Sequence, residues 1–287
     1  MRKESLIIYK QRTSGFTLIE LLVVIAIIAL LMSILMPALQ RVKLQAKSVA
    51  CISKLKQWGL FFSMYAQEFD GRFMGGPGTS LPNRWVYALG DYYKWDDEFT
   101  CCPNATKPWV DKNGIDSGAE GHDSGAGVTM AWGYMGMSGS RSHWPKLMKG
   151  SYGINGWVLD PPPDDEAHPE LGGPEYFLRG PNVAGAGYVP LFLETQRYNG
   201  WALEIDRPPT YSGELWNDDA QMGRYCLDRH DGFASCLLLD FSARKVGLKE
   251  LWTLKWHRQY NQAGPWTLGG GVVATDWPEW MQNLKDY

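Results

Sequence analysis

FTLIELLVVIAIIALLMSILM, residues 16–36, is the stretch whose reading decides the fold. Written as a helix it spans about 31 Å, which matches the hydrocarbon core of a bilayer. The residues ahead of it carry Arg2, Lys3, Lys10 and Arg12 against the single acid Glu4. A positive flank before an apolar run keeps that flank in the cytoplasm. A secretory signal peptide would place small residues at a cleavage site beyond its apolar core. Here Pro37 and Gln40 follow instead. Glu20 is the one charge inside the stretch. An acid at mid-membrane depth costs roughly 2.5–3.5 kcal/mol, so it calls for a partner.

The rest of the chain has globular composition. Of 287 residues, 45% are hydrophobic and 21% charged, which excludes a disordered chain. A polytopic membrane protein is excluded because the sequence has one long apolar run. Removing residues 1–15 takes away four basic residues and one acidic one, so the balance moves further below the whole-chain net of −3. That does not favour a nucleic-acid-binding head, and no nucleic-acid partner is expected. Five cysteines without a C-x-x-C pair give no zinc knuckle and no thioredoxin-like motif. Neither a P-loop, a G-x-G-x-x-G turn, an H-E-x-x-H pair nor a Ser-His-Asp spacing is present, so an enzyme is not expected.

Ser14-Gly15-Phe16-Thr17-Leu18-Ile19-Glu20 closely resembles the class III signal of type IV prepilins and type II secretion pseudopilins. The resemblance implies cleavage by a prepilin peptidase between Gly15 and Phe16, with Phe16 N-methylated as the new first residue. Glu20 becomes the fifth residue, paired in a filament with the positive N-terminus of a neighbouring subunit. Pro37 becomes the twenty-second, where many pilins carry a proline that loosens the helix. A second resemblance runs from Cys51 through Trp58 and Asp70-Gly71 to the later part of the chain. It is to the planctomycete-type pseudopilin-like group whose heads carry the H-X9-DG stretch. Here His230 is followed after nine residues by Asp240, and Phe241 stands in place of the glycine.

The organisation follows. Residues 1–15 are a leader, 16–36 a transmembrane and filament-core helix, 37–70 an amphipathic extension, and 71–287 a globular β-rich head. Within the extension Leu39, Val42, Ala46, Val49, Ile52, Leu55 and Phe62 recur at three- and four-residue steps. Asp70-Gly71 is a stop signal, and Pro37 is expected to kink or locally melt the helix. Arg84–Tyr93 reads as a short helix. Strand candidates are Tyr152–Leu159, Tyr188–Glu194, Ala234–Asp240 and Trp252–Trp256. The expected fold is α+β and pilin-like: a long N-terminal helix packed on a small antiparallel sheet with long irregular loops.

Chemical constellations are few. His230 and Asp240 lie about 33 Å apart along an extended strand, so hydrogen bonds fixing the two strand ends outweigh a shared site. Asp111, Asn113 and Asp116 around Gly114 miss the EF-hand offsets. Calcium stays a candidate cofactor because major pseudopilins commonly bind it in a head loop; no other cofactor is implied. Cys226 and Cys236 are a candidate hairpin disulfide, and Cys51 with Cys101 or Cys102 is another. Free buried thiols are the alternative, and sequence does not choose among them. The 14 Trp and 14 Tyr read as core filler in preference to a glycan platform.

Two functions compete. The first is a pseudopilin, a structural subunit of a type II secretion or type IV pilus-like filament. Its partners are the prepilin peptidase, other pilin-like subunits, the assembly machinery and the bacterial inner membrane, with the head in the periplasm or outside the cell. The second is a membrane-anchored or filament-tip binding module whose aromatic-rich head recognises glycan or a secreted protein.

Overall fold

The computed structural model describes residues 17–75, 84–96, 98–108, 127–132, 149–162, 173–214 and 219–287. Two compact units divide the chain, Met1–Gln45 and Ala46–Tyr287.

Helix α1 runs over Leu18–Glu68 without a break at Pro37. The expected local melting is therefore absent. The helix starts on a capping box. The Thr17 backbone N–H and hydroxyl both donate to Glu20 Oε2 at 2.8 Å, and Glu20 N–H donates to the Thr17 hydroxyl at 3.2 Å. It stops where the sequence says it should. Asp70 and Gly71 have φ of 51° and 78°, and the Gly71 N–H reaches back to the Ala66 carbonyl at 2.7 Å.

In the first unit the described apolar side chains from Leu18 to Leu44 face outward. In the second unit the buried face of α1 is Ser48, Cys51, Leu55, Trp58, Gly59, Phe62, Tyr65 and Ala66. This corrects the expected stripe. Within the second unit Leu55 and Phe62 of that stripe are buried and Val49 is exposed, because the face received there also carries Cys51 and the large aromatics.

Five strands form the main sheet, in the order β5(Asn199–Gly200), β3(Tyr152–Asn155), β4(Pro190–Glu194), β6(Phe233–Leu238), β7(Ala243–Gly247). All neighbours are antiparallel except β3 and β5. Two short strands, β1(Lys107–Pro108) and β2(Met130–Ala131), pair in parallel. The predicted helix at 84–93 is two four-residue helices, α2(Trp85–Ala88) and α3(Gly90–Tyr93). The expected strand at Trp252–Trp256 is instead a 3-10 turn at Lys249–Thr253.

The side-chain alternation of β6 separates two cores. Leu237 and Leu239 join Trp58, Phe62, Trp85 and Phe192 beneath α1. Ala234, Cys236 and Leu238 point the other way, towards Trp157, Trp252, Trp256, Trp277 and Met281. A sheet covered on both faces reads as a near-continuous apolar run, which is what PLFLE at 190–194 shows. No described tryptophan is exposed, so these rings fill the interior. The result is the α+β, pilin-like layout of a long N-terminal helix with a small, mostly antiparallel sheet.

Candidate functional site

Two places carry chemistry: the N-terminal segment and a buried side-chain cluster in the head.

At the N-terminus Gly15 and Phe16 lie outside the described residues. Glu20 is described, and its carboxylate is held by Thr17 of its own chain. Within one chain its polar demand is thus met by the first turn of α1. Pro37 sits further along in the same exposed apolar stretch. This helix is the one described element long and apolar enough to cross a membrane.

The head cluster brings together Cys51, Cys102, Glu194 and His230, all buried. Each comes from a different element. Cys51 is on the buried face of α1. Lys54 and Trp58, one and two turns on, bind the carbonyls of Cys101 and Phe99 at 3.0 and 3.1 Å. They hold the Cys101-Cys102 loop against the helix. The Cys102 N–H donates to the Ser151 hydroxyl at 2.6 Å, just ahead of β3. Glu194 is the last residue of β4, and its Oε2 accepts the Ser235 N–H of β6 at 2.8 Å. His230 precedes β6 in a turn where Asp231 and Gly232 have φ of 59° and 82°.

The Arg229 guanidinium locks that turn. It donates to the carbonyls of Val128, Ser151, Met130 and Thr195 at 2.7–3.2 Å.

His230 Nε2 lies 2.8 Å from Glu194 Oε1 and 3.5 Å from Cys102 Sγ. Cys51 Sγ lies 2.7 Å from Cys102 Sγ and 3.7 Å from Glu194 Oε1. Burial alone would lower the imidazole, but contact with Cys102 and Glu194 raises it from 6.5 to about 9. Burial opposes charge on Glu194 too. The hydrogen bond and charge of His230, with the charge of Arg229, outweigh it and hold the carboxyl below its usual range. The Cys102 thiol is pushed far up by burial and by its contact with Cys51.

Asn104 Nδ2 stands 3.4 Å from His230 Nδ1, so Cys102, His230 and Asn104 have the outline of a Cys-His-Asn triad. A nucleophilic thiol needs a depressed pKa and access. Cys102 has neither, being fully buried. Two thiols, an imidazole and a carboxylate are instead a ligand set for a soft divalent cation.

His230 and Asp240 do not meet, as their spacing implied. Asp240 lies in the β6–β7 turn, where it accepts the Ser242 N–H and hydroxyl at 2.9 and 2.6 Å. Phe241, in place of the glycine, takes a left-handed φ of 64°, so the tight turn forms without it. Of the two readings of Cys226 and Cys236, a hairpin disulfide and free buried thiols, the structure has the second. Cys236 faces Leu193 and Arg244 across the ladders, and Cys226 precedes the strand instead of pairing in the hairpin. The calcium candidates Asp111, Asn113 and Asp116 lie outside the described residues. Glu194 was missed by sequence reasoning. Its signal is a lone acid closing the apolar strand PLFLE.

The prokaryotic N-terminal methylation motif matches residues 10–36. The match covers the segment that holds Gly15, Phe16 and Glu20. It implies processing by a prepilin peptidase and assembly with other pilin-like subunits. Together with the layout of α1 and the sheet, it supports a type IV pilin-like or pseudopilin-like protein. No curated protein and no solved structure matches the chain.

Proposed function

We propose that the protein is a pseudopilin, a structural subunit of a type II secretion or type IV pilus-like filament. The observation that carries this reading is the methylation motif at residues 10–36 running directly into an apolar helix whose side chains are exposed. A 51-residue helix with an outward-facing apolar first half is not stable alone in water. It needs lipid before assembly and sister helices after it.

The peptidase cuts between Gly15 and Phe16, and Phe16 is N-methylated. The head faces the periplasm or the exterior, and the leader stays cytoplasmic. The new amino group of one subunit then meets Glu20 of another. That exchange is balanced: Glu20 gives up its Thr17 hydrogen bonds for an intermolecular ion pair in a low-dielectric medium, where the pairing is strong. In the second unit Val49, Leu60 and Met64 of α1 are exposed apolar side chains as well.

Mass spectrometry of the N-terminus, after co-expression with a prepilin peptidase, tests the processing step. The expected species begins at methylated Phe16. An intact Met1 terminus would overturn it. A Glu20→Ala chain that enters filaments as well as the parent would overturn the assembly role.

A further inference from the structure

We propose that Cys51, Cys102, Glu194 and His230 form a closed, four-coordinate zinc site that clamps residues 46–68 of α1 to the head sheet. The four donor atoms, two Sγ, Oε1 and Nε2, all lie within 4.8 Å of one another. With Zn–S of about 2.3 Å and Zn–N or Zn–O of about 2.0–2.2 Å, a tetrahedron has edges of roughly 3.3–3.8 Å. The Cys51–Glu194 and Cys102–His230 edges, 3.7 and 3.5 Å, already fit. The two remaining close pairs, sulfur to sulfur at 2.7 Å and Nε2 to Oε1 at 2.8 Å, are opposite edges that open as the ion enters.

A disulfide would account for the two sulfurs alone. The surroundings suit metal-bound thiolates. The fully buried Tyr152 hydroxyl finds no partner of normal geometry. It lies against Cys51. The Asn104 N–H points at Cys102 Sγ at 3.4 Å. Each sulfur therefore has a donor beside it. A metal-bound thiolate accepts such donors well, and they tune and orient the ligand.

Charge also balances. Two thiolates and a carboxylate around a divalent ion leave one negative charge, and the buried Arg229 guanidinium that already acts on Glu194 offsets it. Sulfur and imidazole donors select zinc over calcium or magnesium. Burial of all four leaves no open coordination position, so the site is structural. On binding, the Nε2 proton is released to solvent so that this nitrogen's lone pair meets the ion, and the Asn104 amide stays on the Arg229 carbonyl at 2.7 Å. Both thiol protons are released to solvent.

The test uses the full chain purified in detergent. Metal content is read by elemental mass spectrometry, and thiols are titrated after denaturation with chelator and no reductant. One zinc per chain and five reactive thiols are expected. The chelated chain, loaded with cobalt alone, should show thiolate charge-transfer and tetrahedral visible bands. Tyr152→Phe should weaken zinc binding about tenfold while the chain stays folded. A folded chain without zinc that also refuses added zinc would overturn the site. So would three reactive thiols, the signature of a Cys51–Cys102 disulfide. Cys102→Ser also alters a fully buried core side chain, so the wild-type stoichiometry decides by itself.

Discussion

His230 Nε2 and Glu194 Oε1 lie 2.8 Å apart with their side chains 1% and 0% exposed. The pair ties the turn before β6 to the end of β4 across 36 residues of sequence. Removing one partner of such a pair strands the other in the interior, at about 3–5 kcal/mol. Glu194→Ala should therefore lower head stability by about 3 kcal/mol in urea unfolding followed by tryptophan fluorescence. Glu194→Gln keeps an acceptor for the Ser235 N–H and should lose less. An alanine variant as stable as the parent would show that the pair is not needed.

Gly59 marks a close approach of α1 to the sheet. A Cβ built there would meet Leu237 Cδ1 at 3.1 Å and the Phe241 carbonyl oxygen at 3.2 Å. One of those neighbours is backbone in a tight turn and does not yield readily. Gly59→Val is expected to cost about 1–3 kcal/mol by overpacking, with accelerated hydrogen exchange in both α1 and β6. Unchanged exchange would contradict it.

Trp58 sits at the centre of the first core, with ring centroids of Tyr93, Phe192 and Trp85 at 5.1, 5.0 and 5.5 Å. Its indole N–H is also satisfied, by the Phe99 carbonyl. Trp58→Ala should cost about 3–5 kcal/mol. Limited proteolysis should then cut in the 98–102 loop, which is held to the helix through that same indole.

Asp206 gives the pH dependence a sign. Burial pushes its carboxyl from 3.8 up to about 6, against the pull of the Leu203 and Met222 N–H groups. Between those values the folded chain holds a proton that the unfolded chain has released. Its contribution is therefore full below about 3.8 and is lost as pH rises through about 6. Both N–H groups donate to one oxygen, Oδ2, which an asparagine Oδ1 can replace. Asp206→Asn should thus exceed the parent in stability by about 3 kcal/mol at alkaline pH and converge with it in acid. A constant difference across pH would refute this.

The N-terminal half was legible because its information is local. Apolar length and the Asp70-Gly71 stop act through neighbours a few residues away, and α1 runs and ends accordingly. Strands β3, β4 and β6 were visible through period and composition. The β5 and β7 strands were not. Asn199-Gly200 is too short to show a period, and ARKVG at 243–247 is polar over its first half.

Three things belonged to the tertiary structure. It chose which face of α1 is buried, since both faces carry apolar residues and only the shape of the head distinguishes them. It folded the C-terminal tail over the second face of the sheet, turning Trp252–Trp256 from a plausible strand into a 3-10 turn inside a second core. It also gathered Cys51, Cys102, Glu194 and His230, residues 51 to 179 positions apart from the first to each of the others. Helix length and membrane affinity are sums over adjacent residues, so the sequence states them outright. Convergence of four distant side chains depends on how every intervening segment packs, and no single stretch of the chain encodes it.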